Sequence, residues 1–189
     1  MTWLLSGLAL WIVVHLLPAA APGIKARLAS ALGPAPWRGV FSLLVLLGLV
    51  LIVVGWRTTL PTAVYAPPAW GRVAAFPLMF VSVLLFGASH AKTSLKRIVR
   101  HPQLTAVMLW SIAHLLANGD IRSLVLFGGL GAWAVLEMLL ISRREGAWVK
   151  PERARVRSEL INVAVSTVVF ALLIMLHPYF AGVSPLPPR

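Results

Sequence analysis

The residues with the greatest capacity for chemistry lie in one stretch, Arg100–Asp120, which reads R-H-P-Q-L-T-A-V-M-L-W-S-I-A-H-L-L-A-N-G-D. It contains two of the five histidines, and the second, His114, lies among leucine, isoleucine and alanine. Ionisable side chains in a hydrophobic membrane segment usually face the interior of a helix bundle and have a partner there. Because neutral imidazole is a common iron ligand, His114 is a candidate ligand for a metal or a haem. A simple interior hydrogen bond is the alternative.

The other histidines differ from His114 in their expected depth. His101 precedes His114 by 13 residues, so on one helix the two point to nearly opposite faces, roughly 20 Å apart along the axis. They therefore cannot ligate one metal ion, and His101 is expected at the cytoplasmic interface. His15, within I-V-V-H-L-L, is the second most buried histidine by its context. His90 and His177 are expected at helix ends, where solvation alone accounts for them.

Three further polar residues lie in or beside hydrophobic segments. Ser111 is close to His114, and Asn118 follows that histidine by four residues on the same helix face, where it could orient the imidazole or a ligand. Glu137 is the only acidic residue within a hydrophobic segment. A structural ion pair with Arg144, two turns later, is the first interpretation of Glu137. A proton relay or a haem-propionate neighbour is the second.

The elements that must position these residues are hydrophobic helices. The chain has 189 residues, of which 59% are hydrophobic and 12% are charged, about half the charged fraction of a soluble domain. The apolar runs are continuous rather than alternating, which excludes a barrel pattern. We predict an all-α, polytopic transmembrane helix bundle that forms a single domain over residues 1–189. Its six hydrophobic segments are Thr2–Leu17, Val40–Trp56, Val73–Ser89, Gln103–Ala117, Ile121–Ser142 and Leu160–Leu176.

The connections between these segments also carry structural signals. Pro102 suits the first position of a helix, because its missing N–H costs nothing there. Asn118 and Gly119 are expected to take the left-handed conformation that closes a helix, and Asp120 to cap the next one. The stretch Thr58–Arg72 is expected to be an ordered outer loop. The loop from residue 89 to 100 is expected to hold a short amphipathic element on the cytoplasmic surface.

The basic residues alternate between the two sides of the predicted bundle. Thirteen of the 17 lie in the first, third and fifth connections, which the positive-inside rule assigns to the cytoplasm. Both termini are therefore predicted to lie on the other side of the membrane, facing out. The net charge of +12 is thus a topology signal, and we expect a lipid bilayer, not a nucleic acid, as the partner. The four basic residues of the other side are Arg57, Arg72, Arg122 and Arg189.

The sequence lacks the residues that several kinds of reaction and metal site require. The chain contains no cysteine, which excludes disulfides, thiolate ligands and a cysteine nucleophile. It also contains no phosphate-binding glycine loop and no H-E-x-x-H zinc motif. Nucleotide-driven and zinc-hydrolase chemistry therefore have no support.

Five motifs, in order and spacing, resemble the NnrU family of bacterial membrane proteins, which are associated with denitrification and nitric oxide metabolism. They are H-L-L-P-A from His15, R-G-V-F-S-L from Arg38, V-Y-A-P-P from Val64, R-H-P-Q-L from Arg100, and L-W-S-I-A-H-L-L-A-N-G-D from Leu109. The resemblance covers most of the chain, and it implies the inner membrane of a bacterium, with both termini periplasmic.

The plant relative of that family is zeta-carotene isomerase, a membrane haem b protein that isomerises a cis double bond. Its Trp-Cys-Leu-Ala-His motif is similar to Trp110–His114, so the resemblance implies haem b with His114 and His15 as iron ligands. Ser111 replaces the cysteine implicated in ligand switching, and serine cannot become a soft ligand. His177 is the rival partner for His114, since both are predicted to lie in the outer half of the membrane.

Three functions follow as hypotheses, and whether the protein is an enzyme stays open. The first is a haem b protein with a role in denitrification or nitric oxide metabolism, whose ligand is a small gas. The second is a haem-dependent cis-trans isomerase of a carotenoid or isoprenoid, with a lipid-soluble polyene as substrate. The third is a non-enzymatic assembly factor of a respiratory complex.

Overall fold

The computed structural model describes residues 1–186, and most of these residues are helical. Within them there is no β-strand, only an isolated antiparallel bridge between Ala63 and Asp120. The all-α prediction is confirmed. The helices are α1 (Thr2–Ala20), α2 (Pro22–Leu32), α3 (Pro34–Thr58), α4 (Gly71–His90), α5 (Pro102–Ala117), α6 (Ile121–Glu145) and α7 (Val156–Ala181), with a short 3-10 helix at Ser94–Arg97 between α4 and α5.

Each of the six predicted hydrophobic segments lies on one of these helices. Five of them, α1, α3, α4, α6 and α7, are long and apolar enough to cross a membrane. The sixth, α5, has 16 residues, or about 24 Å of helix, which is less than the thickness of a hydrocarbon core of about 30 Å. Helix α2 was not predicted, because its apolar residues are interrupted by Lys25 and Arg27. Arg189, assigned above to the outer side, lies outside the described residues.

The helices form two compact units, and the first comprises residues 1–66 and 118–147. In it, α1 packs against α3 and α6. Glycines allow the close approach of α1 to α3: a Cβ on Gly55 would collide with the backbone of Leu4, and one on Gly7 would lie 2.6 Å from the backbone nitrogen of Ile52. Small residues at such crossings are typical of membrane helices, where van der Waals packing drives association.

The outer loop of this unit is tied to the turn before α6. The amides of Val64 and Tyr65 both donate to the carbonyl of Gly119, at 2.8 and 3.1 Å. Neither Asn118 nor Gly119 has a positive φ, so the predicted left-handed closure of α5 is wrong. The turn is held instead by the outer loop, whose amides donate to the carbonyl of Gly119 and whose Thr62 carbonyl accepts from the amide of Ile121 at 2.8 Å. Asp120 caps α6 as predicted, accepting from the amide of Ser123 at 3.1 Å.

The second unit comprises residues 67–117 and those from Trp148 onward. Helix α4 packs against both α5 and α7. The hydroxyl of Ser82 in α4 donates to the carbonyl of Ala106 in α5 at 2.7 Å, and Ala88, Ala106 and Ala113 are almost fully buried. Small residues therefore form the contact between α4 and α5, and α5 is the helix that contains His114.

Large apolar side chains cover the outer surface of the helices. Leu43 in α3, Val73 in α4 and Met175 in α7 are each more than 60% exposed. A soluble protein rarely exposes apolar surface of this extent, whereas lipid tails solvate it at no cost. The exposed apolar surface thus agrees with the helix lengths in indicating a chain that crosses the bilayer several times.

Candidate functional site

His114 lies in the last turn of α5, and its imidazole has a defined orientation. Its Nδ1 is 2.8 Å from the carbonyl oxygen of Trp110, one turn earlier. Because a carbonyl can only accept, Nδ1 carries the proton and donates it. The lone pair of the neutral ring is then on Nε2. Metal-binding histidines are commonly held in this way by a backbone carbonyl on the other nitrogen.

His177 in α7 is brought beside His114 within the second unit. Their ring centroids are 6.5 Å apart and their planes differ by 20°. Two imidazoles on opposite sides of one metal ion, with bonds of about 2.0–2.1 Å, have centroids about 6–6.5 Å apart. At this separation, both imidazoles could hold one metal ion between them.

The end of α7 explains how His177 is oriented. Gly182 terminates the helix in the left-handed conformation, with φ 77°, which glycine adopts without strain. The chain then turns back, so that the carbonyl of Val183 lies 2.7 Å from Nδ1 of His177. His177 therefore donates from Nδ1 and keeps its lone pair on Nε2, as His114 does.

Ser111 adds a buried hydroxyl one turn before His114. Only 2% of the residue is exposed, and its Oγ has no hydrogen-bond partner among the described residues. A buried polar atom without a partner costs about 1–3 kcal/mol, so it marks a position where a bound group could satisfy it. The indole of Trp110 lies beside the imidazole, with ring centroids 4.9 Å apart.

His15 lies in the first unit, in an aromatic environment. Its Nδ1 is 2.8 Å from the carbonyl of Trp11, which fixes the same tautomer as in His114. The ring of Trp11 stacks on it at 4.3 Å, and the rings of Trp133 and Phe41 lie at 5.2 and 5.8 Å. The orientation of His15 therefore also suits a ligand, whereas its ring neighbours are aromatic side chains of its own unit.

The remaining candidates lie in separate surroundings. Asn118 accepts a 2.7 Å hydrogen bond from the hydroxyl of Tyr65 on its backbone carbonyl. Glu137 is 8% exposed, and its Oε2 has no hydrogen-bond partner within residues 1–186. The ion pair predicted between Glu137 and Arg144 does not occur in the described residues: Arg144 donates to the carbonyl of Pro18 at 2.9 Å and lies 3.8 Å from the carboxylate of Glu145. No cluster of three or more His, Cys, Asp or Glu residues occurs in the described part of the chain.

The second unit also contains a cavity that was not predicted from the sequence, and His101 lies in its lining. The cavity has a volume of about 390 Å³ and is also lined by Lys96, Arg100 and Trp148. These residues come from three separate stretches of the chain. The one sequence feature that points to it is the cluster of basic residues in the loop before α5, which is equally typical of a segment anchored at the membrane surface.

The helices and the apolar surface define a polytopic, all-α membrane protein with oriented histidines in two of its helical units. The chain matches the family described as NnrU protein over residues 3–185, nearly its whole length, and it therefore belongs to the NnrU family. No curated protein and no solved structure matches the chain.

Proposed function

We propose that this chain is a haem b protein of the bacterial inner membrane, with a role in denitrification or nitric oxide metabolism. The single observation that carries the haem is the pairing of His114 and His177, whose rings are 6.5 Å apart. Both donate from Nδ1 to a backbone carbonyl, which leaves the metal-binding lone pair on Nε2. The link to denitrification rests on membership of the NnrU family.

The second ligand has two candidates, supported by different arguments. The ring separation favours His177 as the partner of His114. The resemblance to zeta-carotene isomerase favours His15, and the Trp11 carbonyl gives that ring the required tautomer. We adopt His177, because it rests on geometry within one compact unit.

The residues around the pair would bind and shield the group. When bound, a haem would supply one-electron chemistry, and a small gas could bind in place of a displaced histidine. His114 and His177 would hold the iron, with orientations fixed by backbone carbonyls. Trp110 packs against His114 and would exclude water, while the buried hydroxyl of Ser111 would donate to a bound ligand.

The proposal is tested by purifying the full chain from haem-replete cells and recording its absorption spectrum. We expect a red protein with a Soret band and about one haem per chain. The variant His114→Ala should hold at least about tenfold less haem, whereas His90→Ala, at the exposed end of α4, should hold as much as the wild type. Colourless wild-type protein would refute haem binding and leave the assembly role as the remaining hypothesis.

A second candidate is a haem-dependent cis-trans isomerase of a carotenoid or isoprenoid. It is supported by the run from Trp110 to His114, which resembles the isomerase motif, with the Ser111 hydroxyl in place of the cysteine. Co-expression with a carotenoid pathway and chromatography of the isomers tests it. Unchanged isomer ratios with haem-loaded protein would exclude this candidate and leave the nitric oxide role standing.

A further inference from the structure

The cavity of the second unit is built by elements that converge at one end of α4 and α5. Lys96 comes from the 3-10 helix, Arg100 and His101 from the turn before α5, and Trp148 from the segment before α7. The space of about 390 Å³ is open to the surface. It is larger than a water site and of the size of a small polar headgroup.

The lining of the cavity carries two formal positive charges, those of Lys96 and Arg100. It contains Lys96, Arg100 and His101, and no acidic residue among the described ones. The side chains of Lys96 and Arg100 are only partly exposed, so their charges act through a medium of lower dielectric constant than water. Helix α5 begins at Pro102 in the lining of the cavity, and the positive end of its dipole adds to the field of the two cations.

Hydrogen bonds hold these elements in place. Lys96 donates from Nζ to the carbonyl of Ser89 at 2.9 Å, which holds the ammonium at the rim of the cavity. Arg97 donates to the carbonyl of Pro151, and Lys150 lies 5.3 Å over the ring of Trp148. The cavity is thus a formed feature of the unit rather than a gap between loose segments.

The acidic residue in the first turn of α7 helps to hold the 3-10 helix in place. Glu159, in the first turn of α7, accepts from the backbone amide of Ser94, and the amide of Ala154 donates to the hydroxyl of Ser94 at 3.1 Å. The carboxylate of Glu159 therefore fixes the 3-10 helix from behind and does not line the cavity.

We propose that this cavity binds the phosphate group of an anionic ligand, most simply the headgroup of an acidic phospholipid. Lys96 and Arg100 contact the phosphate oxygens, His101 donates to the ligand, and Trp148 covers its apolar side. Basic pockets at the cytoplasmic ends of membrane helices bind such headgroups. The site does not depend on the haem, and it gives the cations of this loop a function besides topology.

The test measures thermal stabilisation of the purified full chain in neutral detergent with three probes. These are short-chain phosphatidylglycerol, short-chain phosphatidylcholine and inorganic phosphate. A ligand that binds only the folded state raises the unfolding temperature. We expect phosphatidylglycerol to raise it and phosphatidylcholine not to. If inorganic phosphate alone has an equal effect and competes, the source is a soluble phosphate. If no probe has an effect, the proposal is overturned.

Paired variants localise the binding. Lys96→Gln with Arg100→Gln should weaken phosphatidylglycerol by about fivefold per cation and about 25-fold together. The matched control, Lys92→Gln with Arg143→Gln, removes the same charge from exposed positions outside the lining and should bind as the wild type does. Equal loss in both pairs would overturn the proposal. If the first pair does not fold, Arg100→Lys should retain binding and Arg100→Gln alone should lose it.

Discussion

At the scale of single residues, backbone carbonyls determine which imidazole nitrogen carries the proton in three histidines of this protein. His15, His114 and His177 each place Nδ1 within 2.8 Å of a backbone carbonyl, and an acceptor of that kind permits only the Nδ1–H tautomer. For His15 and His114 the carbonyl belongs to the residue four positions earlier. A tryptophan occupies that position in both cases, so its ring also packs on the imidazole.

The buried hydroxyl of Ser111 leads to a prediction about stability. Replacing Ser111 with alanine removes a buried polar atom that has no partner, so it should stabilise the haem-free protein by about 1 kcal/mol. Replacing Ser82, which donates to the carbonyl of Ala106 at 2.7 Å, should destabilise it by about the same amount. Unfolding of both variants in a detergent titration checks the two signs. A loss of stability in Ser111→Ala would show that the hydroxyl has a partner.

The candidate site was predictable from sequence only in part. The apolar sequence around His114 marked this residue as a candidate, because an ionisable side chain in a hydrophobic membrane segment usually has a partner in the bundle interior. The hydrogen bond of His177 was not foreseen, since it depends on a chain reversal at Gly182 and reaches Val183, six residues away. Which histidine pairs with His114 is a question of helix packing, which residue spacing alone cannot answer.

At the scale of helices and loops, hydropathy located the six main helices because long apolar runs have no other stable form in a bilayer. The bounds of α3 and α7 extend beyond the predicted segments, by as much as six residues for α3, because the helical backbone continues into polar sequence at the membrane edges. Helix α2 was missed for a related reason. Its apolar residues Ile24, Leu28 and Leu32 recur every four positions, but with 11 residues the helix is too short to be recognised as a membrane span.

The crossing of α1 and α3 gives a prediction with a matched control. In Gly55→Ala the added methyl group would collide with the backbone of Leu4, and we expect a loss of about 1–3 kcal/mol of stability. Gly39 is in the same helix, and nothing lies within 4 Å of its added Cβ. Gly39→Ala should be neutral or slightly stabilising, because alanine is the better helix former. The unfolding temperature and the yield of monodisperse protein distinguish the two variants.

The hydrogen bond from the hydroxyl of Tyr65 in the outer loop to the turn before α6 should be lost at alkaline pH. Burial, and then the negative charge of Asp120, raise the pKa of Tyr65 above its ordinary value of 10.0. Its neutral hydroxyl donates to the carbonyl of Asn118. The stabilisation is fully present below pH 10.0 and is lost as the pH rises through the higher pKa of the folded state.

The measurement for this tie is the unfolding temperature of the wild type and of Tyr65→Phe, each compared at neutral pH and above pH 10.0. The wild type should lose more stability than the variant at high pH, because phenylalanine has no proton to release. Identical alkaline losses in the two proteins would assign the pH dependence to another group.

At the scale of the whole molecule, the positive charge gives the chain its expected direction in the membrane. Three connections hold thirteen of the 17 basic residues, and the cations of one of them also line the cavity of the second unit. One set of residues thus serves both topology and the proposed phosphate site.

The orientation is tested with reporter fusions to the full chain. A reporter enzyme that is active only in the periplasm should work at either terminus, and one inserted after Lys150 should be inactive. Exchange of Lys150, Arg153 and Arg155 for glutamine should weaken this preference. Periplasmic activity of the reporter at the Lys150 position in the unaltered chain would reverse the proposed topology.

The most direct test of the central claim, a haem held by His114 and His177, is the absorption spectrum of the purified chain, which reports the coordination number and spin state of the iron. We predict a six-coordinate, low-spin haem in the wild type and in His15→Ala, a five-coordinate, high-spin haem in His177→Ala, and almost no haem in His114→Ala. A high-spin haem in His15→Ala with an unchanged His177→Ala would contradict the pairing, and a colourless wild type would contradict the haem itself.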